Sequence, residues 1–293
     1  MRALDMVSTW PVGSAAAGVI GRGPSSDAAR PGTCLRDDVW VRATFGEVDR
    51  PYAWASVTKL CTALAVLVAG EEGTLALDEP CGPRGSTVAH LLAHASGLAP
   101  DEREVVAMPG RRRIYSNAGY EVLADALAER AGMSFADYLT EAVLAPLGMW
   151  SAKLHGSPAW GMEGSLADLL ALGAELLSPT IVDPETLRRA TSVAFPGLGG
   201  VLPGYGRQEP CDWGLGFEIR GTKSPHWTGD RCSPATFGHF GRSGGFLWVD
   251  PERAVACGAL TDRTWGPWAV EAWPELSNAV VDEVAAPLDV LSG

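Results

Sequence analysis

The sequence predicts an α+β fold, an antiparallel sheet flanked by helices with an inserted all-helical lobe. Three observations lead there. Apolar, strand-like runs punctuated by Gly, Pro and Asp occur near the N-terminus and again after Pro196. Between them, from about 57 to 190, apolar residues recur at helical spacing with caps and breakers at the segment ends. No segment repeats, so the two outer strand regions most simply share one sheet around the insertion. The expected division is 1–56 with 196–293 as the sheet lobe and 57–195 as the helical lobe.

In chain order, 13–21 and 39–48 read as strands joined by a Gly/Pro/Ser-rich loop at 21–32. A helix over 56–69 ends at Gly70 and Gly73, and 75–80 is a turn. A short helix follows at 87–97. The Arg111, Arg112, Arg113 run is expected in a solvated loop. Val122, Leu123, Ala126, Leu127 and Ala131 share one helical face, closed by Gly132. Ser134 caps a helix over 135–144, and Ser165 with Asp168 makes a capping box for a helix over 166–177. Strands are expected at 213–219, 237–241, 246–249 and 255–260, with the Asp250-Pro251 turn joining the last two. A final helix spans 274–285.

The formal charge of −12 and pI near 4.9 argue against nucleic acid or an anionic membrane as partner. Hydrophobic content of 46% and charged content of 20% are those of an ordinary globular chain, with no run long enough to span a membrane. The first ten residues carry no secretory pattern, and six scattered cysteines without a C-x-x-C pair read as free thiols. A cytoplasmic protein is expected. His90 and His94 have i,i+4 spacing, but Leu91 stands where a zinc protease needs Glu, so a hydrogen-bonded structural role is expected and no metal. No cofactor motif is present.

The chemistry concentrates at Ser56-Val57-Thr58-Lys59, at the mouth of an apolar helix. Three residues of spacing put hydroxyl and amine on one face, one turn apart. A weak nucleophile beside a base is what covalent acyl transfer requires, and an amine next to an apolar run is unlike a solvated lysine. Farther along stand Tyr115-Ser116-Asn117 and His239-Phe240-Gly241.

Three motifs in that order resemble the serine β-lactamase and penicillin-binding-protein superfamily, in its branch of class C β-lactamases, DD-peptidases and β-lactamase-like esterases. The likeness runs from Phe45 to about Thr261 and includes the connecting segments 90–98, 146–149 and 238–245. It implies an active site between the lobes, with Ser56 as nucleophile, a neutral Lys59 as base, and Tyr115 as proton shuttle with a phenol pKa lowered by a nearby cation. It implies that Asn117 binds Lys59 and a substrate amide, and that Gly241 lets substrate approach the strand. His239 stands where many members carry Lys; neutral or protonated, its imidazole would support Tyr115 and bind a substrate carboxylate, and the replacement is a mark of the esterase-like branch rather than of an efficient lactamase. The oxyanion hole would be the Ser56 and Arg242 N–H groups. The tryptophans 213, 227, 248, 265, 268 and 273 are expected mostly as sheet and helix packing, with a substrate-facing place for one or two of them, and a carboxylate contact for the Arg242 side chain, as the lesser alternatives.

The substrate implied is a small ester, amide or β-lactam. The expectation is a serine hydrolase acting on a small ester or amide; a β-lactamase or DD-carboxypeptidase, or a non-catalytic penicillin-binding-type sensor module, are the alternatives. Oligomeric state is not legible.

Overall fold

The computed structural model describes residues 1–23, 34–36 and 38–285; most of the loop expected at 21–32 lies outside the described residues. A 3₁₀ stretch, Arg2–Thr9, leads into β1 (Ala15–Arg22), β2 (Cys34–Arg36), β3 (Val39–Phe45) and β4 (Tyr52–Ala53). After a 3₁₀ turn at Ala55–Val57 come α1 (Thr58–Glu71), α2 (Val88–Leu92), α3 (Asn117–Ala131) and α4 (Phe135–Leu139), the last running on as a π turn over Thr140–Leu144. Next are β5 (Lys153–Leu154), β6 (Met162–Gly164), α5 (Leu166–Leu177) and α6 (Pro184–Ala190). The chain finishes with β7 (Gly200–Leu202), β8 (Gly206–Gln208), β9 (Glu218–Ile219), β10 (Phe237–Phe240), β11 (Phe246–Asp250), β12 (Val255–Thr261) and α7 (Pro267–Ala285).

The main sheet has seven strands in the order β2-β3-β1-β12-β11-β10-β9, every neighbouring pair antiparallel. Chain start and chain end therefore share its centre, Ala15 opposite Thr261 and Gly21 opposite Val255. Period-two alternation sorts the side chains into two cores. Ala16, Ile20, Leu247, Val249, Ala256 and Leu260 point to the helical side, whereas Ala17, Val19, Phe246, Trp248, Cys257 and Ala259 point to the other. α5 lies on the helical side, where the cross-strand pair Gly18 and Gly258 leaves the room it occupies. A Cβ at Gly18 would lie 2.7 Å from Leu170, and one at Gly258 would lie 2.8 Å from Leu169. The 3₁₀ stretch and α7 cover the opposite face through Leu4, Val7, Trp10, Trp273 and Val280.

Helix α1 is the pivot of the helical region. From Thr58 to Ala69 every residue is buried, which is the pattern of a helix wrapped on all sides rather than an amphipathic surface helix. Contacts with α3, α4 and β10 surround it. The capping box of Ser165 and Asp168 forms as expected, and Ser134 and Gly132 cap where predicted.

Four local expectations change. The stretch 57–190 also holds β5 and β6, which pair with β4 in a three-stranded sheet; such two- and three-residue strands are too short to alternate visibly. The helix expected over 87–97 stops at Leu92, with Thr87 as its cap, because His94 takes a left-handed φ of 54°. The strand expected over 213–219 shrinks to β9. Gly216, at φ 102°, turns the chain tightly enough that a Cβ there would lie 2.1 Å from that of Ala63 on α1. Finally α7 starts seven residues before Pro274, since burying Ala269 and Trp273 against the sheet outweighs the N–H that Pro274 lacks.

The Gly216 turn is what lets α1 reach the sheet. Gly216→Ala combines a positive φ with overpacking and should cost at least about 2 kcal/mol, read as a lower midpoint in urea unfolding.

Candidate active site

Ser56 lies in a turn fixed from two sides. Before it, β4 pairs with β6, and Trp54, fully buried, donates its backbone N–H to Met162 O (2.9 Å) and its indole Nε1–H to Gly164 O (3.1 Å). Thr58 Oγ1 accepts from Met162 N at 3.1 Å. Between these anchors Ala55 is held at φ 45°, a left-handed conformation that a non-Gly residue adopts at a cost of about 1 kcal/mol. On the other side β10 ends against the turn. A Cβ at Gly241 would sit 2.3 Å from Trp54 O, so this glycine is required by contact between strand and turn, a demand separate from the substrate approach the family likeness implies.

Lys59, one helical turn on, is completely buried. Its Nζ donates to Asn117 Oδ1 at 2.6 Å and to Ala159 O at 2.9 Å. It stands 4.7 Å from the ring centre of Tyr115 and 5.3 Å from that of Tyr120. Burial pushes the amine well below the ordinary lysine range, against the opposing charges of Asp101 and Glu121. A neutral amine has two N–H groups and one lone pair; the two acceptors take the N–H groups and leave the lone pair.

Tyr115 closes the next wall. Its ring packs on His94 (4.7 Å between centres), His239 (5.8 Å) and Trp213 (5.9 Å). Burial raises its phenol above the ordinary value, and a hydrogen bond with Ser56 offsets only part of that. The expected lowering of the phenol is therefore corrected: the nearby lysine favours its uncharged form, and the surroundings are aromatic. Asn117 opens α3, but the capping side chain is that of Ser116, which accepts from Gly119 N at 3.0 Å. The Asn117 amide faces inward to Lys59 and outward to Asp101, its Nδ2 donating to Asp101 Oδ1 at 2.7 Å.

Of the two forms open to His239, its surroundings select the neutral one. Its Nδ1–H donates to Phe240 O at 2.7 Å, and Nε2 is buried without a partner. Burial, the largest cause, brings its pKa down to about 3. The imidazole is neutral and offers a carboxylate no charge. The cation beside the cavity is instead Arg242, whose side chain is exposed. Among the described residues neither the Ser56 N–H nor the Arg242 N–H has an acceptor within the chain, while Arg242 O accepts from Trp265 N at 2.9 Å.

One cavity of about 390 Å³ is lined by Ser56, Tyr115, Asn117, His239 and Arg242. Lys59 is tied to that lining through Asn117 and the Tyr115 ring. Leu202, Pro203 and Gly204 from the β7–β8 hairpin, with Trp213, Phe240 and Trp265, add an apolar share of the lining. Of the six tryptophans considered, Trp213 and Trp265 line the cavity. Trp227, Trp248 and Trp273 are core residues, and Trp268 stacks on Trp10.

Several residues around the site were not legible. Glu218, which also lines the cavity, is buried with Lys223 on Oε1, and it accepts from His226 Nε2 and Trp227 Nε1 on Oε2, both at 2.9 Å. Burial alone would raise this carboxyl, but His226 and Lys223 outweigh it and hold it well below the usual carboxylate range. In sequence the group is a polar stretch broken by Gly221 and Pro225, which gives no period to read. Arg113 corrects the solvated-loop expectation. It is 3% exposed and donates to Cys211 O, Ala93 O, Ala194 O and Phe195 O, whereas Arg111 and Arg112 are exposed. His94 Nδ1 accepts from Ser116 N at 3.1 Å, and His90 Nδ1 lies 2.9 Å from Thr87 Oγ1.

A buried lysine one turn from a serine, a Tyr-x-Asn pair and an antiparallel sheet beside helices define a serine hydrolase of the β-lactamase and penicillin-binding-protein type. The β-lactamase family model matches residues 35–280, and the chain belongs to that family. It is 49% identical to a crystallised protein from Mycobacterium bovis described as a β-lactamase, over 97% of this chain and 100% of that one, with a TM-score of 0.90. Penicillin-binding protein 4* of Bacillus subtilis is 30% identical over 177 residues, 48% of this chain. The match spans 38% of that protein's length. EstCE1, a hydrolase with promiscuous acyltransferase activity, shares the fold at TM-score 0.71 and 16% identity, over 96% of this chain and 97% of that one.

Two substitutions test the packing of the site. Gly241→Ala should drive the end of β10 off Trp54 and cost about 1–3 kcal/mol of stability in urea unfolding, with the far-UV circular dichroism unchanged. Glu218→Gln leaves three buried donors, those of Lys223, His226 and Trp227, without their carboxylate and should cost about 3–5 kcal/mol at neutral pH. Because the carboxyl is depressed, its contribution is complete above the ordinary value of 4.5 and is withdrawn as pH falls below it. The stability gap to wild type, followed by urea unfolding, should narrow in acid.

Proposed function

We propose that this chain is a hydrolase that forms an acyl-enzyme on Ser56 and cleaves a small ester or amide with an apolar acyl group. The observation that carries this reading is the meeting of Ser56, Tyr115, Asn117, His239 and Arg242 on one cavity, with the buried amine of Lys59 bonded to Asn117 and 4.7 Å from the Tyr115 ring centre. In the first step Ser56 Oγ attacks the carbonyl carbon while its proton passes to the lone pair of Lys59, directly or over the Tyr115 hydroxyl. The tetrahedral oxyanion is received by the Ser56 and Arg242 N–H groups. Collapse expels the leaving group, protonated from the Lys59–Tyr115 pair. Water then enters, gives its proton to the same pair, and releases the acid and free Ser56.

The wall of Leu202, Pro203, Trp213, Phe240 and Trp265 supports an apolar acyl portion. Part of the same proposal is a division into a sheet lobe, 1–56 with 196–293, and a helical lobe, 57–195, with the cavity between them. Six free thiols support a reducing, cytoplasmic compartment, and among the described residues no helix is long and apolar enough to cross a membrane.

A second reading, hydrolysis of a β-lactam or a D-alanyl peptide, is favoured by the likeness to the Mycobacterium bovis and Bacillus subtilis proteins. The neutral His239 counts against it, since such substrates bring a carboxylate. Intact-protein mass spectrometry after exposure to aryl esters, D-amino-acid amides and a penicillin separates the readings by the mass left on Ser56. No adduct from any of them would leave only a binding module.

Ser56→Ala should lower ester turnover about 10³-fold or more and remove the adduct. Because Lys59 is depressed and acts as a base, kcat/KM should rise with pH and level off well below the ordinary lysine value of 10.5, a profile read directly from initial rates.

A further inference from the structure

The Asn117 side chain is held at both ends, and only one end belongs to the motif that drew attention to it. Its Oδ1 accepts from Lys59 Nζ at 2.6 Å, and its Nδ2 donates to Asp101 Oδ1 at 2.7 Å. A carboxylate can only accept, so Asp101 compels the amide nitrogen to face outward and the amide oxygen to face the amine. Turned over, the amide would set its own N–H groups against those of Lys59 and leave the amine one acceptor instead of two.

We propose that Asp101 is a positioning residue: it fixes the orientation of the Asn117 amide, and through that amide it holds Lys59 with its lone pair toward Ser56. The inference rests on the reading of Ser56 as nucleophile and Lys59 as base. Lys59 is also faced by Glu121 from α3, by the Tyr115 and Tyr120 rings, by His94 beyond α2 and by His239 on β10. Glu121 is engaged by Ser157 Oγ at 2.9 Å, and His94 and His239 are buried imidazoles whose Nδ1 atoms are already hydrogen-bonded. Asp101 is the one of these that is both anionic and joined to Lys59 through a shared amide. It is exposed, so its removal does not open the core.

The sequence contains three lysines, Lys59, Lys153 and Lys223, so the full chain labelled with ¹³C at lysine Cε gives a spectrum in which Lys59 can be followed by itself, assigned by its loss in Lys59→Ala. Asp101→Asn keeps an acceptor for Nδ2 but removes the charge, and the Lys59 midpoint should move to lower pH. That shift should shrink in about 0.5 M salt, where screening acts within a few ångströms. Asp101→Ala removes the acceptor as well, and should also lower kcat on p-nitrophenyl acetate about tenfold at unchanged KM, because the base is no longer aimed. A Lys59 midpoint that is the same in wild type and both variants would overturn the proposal, as would a loss of thermal stability with that midpoint unmoved. The titration does not depend on turnover. Ester activity and a Ser56 adduct with an unmoved midpoint would sink this inference alone, whereas absence of both would sink the reading of Ser56 while the titration still decides the role of Asp101.

Discussion

The site is organised around an amine that has no access to water. Lys59 can sit fully buried at modest cost only because the uncharged form is favoured and both of its N–H groups are received, one by a side-chain amide and one by the Ala159 carbonyl. Those two acceptors come from parts of the chain far apart, the start of α3 and the loop between β5 and β6. Seating the lysine thus requires α1, α3 and the small sheet to be in register together. The same small sheet anchors Trp54, so one element holds both the turn bearing Ser56 and the floor beneath it.

Around that centre the proton positions follow from burial more than from charge pairing. Tyr115 and His239 both lie among aromatic rings, and both are neutral for that reason. The interior of the cavity is consequently uncharged at the strand position where a cation could have stood. Positive charge is displaced to Arg242 at the surface, and negative charge to the fully paired Glu218. Such a distribution supports the apolar acyl group of the proposed reaction.

The parts of this design that were legible in the sequence are those carried by local spacing. The Ser56 to Lys59 interval, the Tyr115-x-Asn117 pair, the glycine two residues after His239 and the capping box at Ser165 are each a few residues long. Their geometry is dictated by one helical turn or one strand. The hairpin of β11 and β12, two apolar runs on either side of the Asp250-Pro251 turn, was legible for the same reason. What escaped was non-local. Arg113 looks solvated beside two exposed arginines, and only the arrival of the 194–195 and 211 carbonyls makes it a buried tie. Glu218, Lys223 and His226 resemble loop polarity until they fold onto one another. The proton on Tyr115 was misjudged because a phenol's acidity depends on what surrounds it, and a motif names only its nearest neighbours.

The pairing of β1 with β12 has a consequence for how such a chain is made. Ala15 finds its partner only when Thr261 exists, so during synthesis the first strand leaves the ribosome long before the centre of the sheet can close. Its apolar residues must wait through the emergence of the whole helical segment, with an unpaired edge that invites wrong partners. Chaperone dependence and low yield on rapid translation would be rooted in this arrangement of termini rather than in any weakness of the finished core.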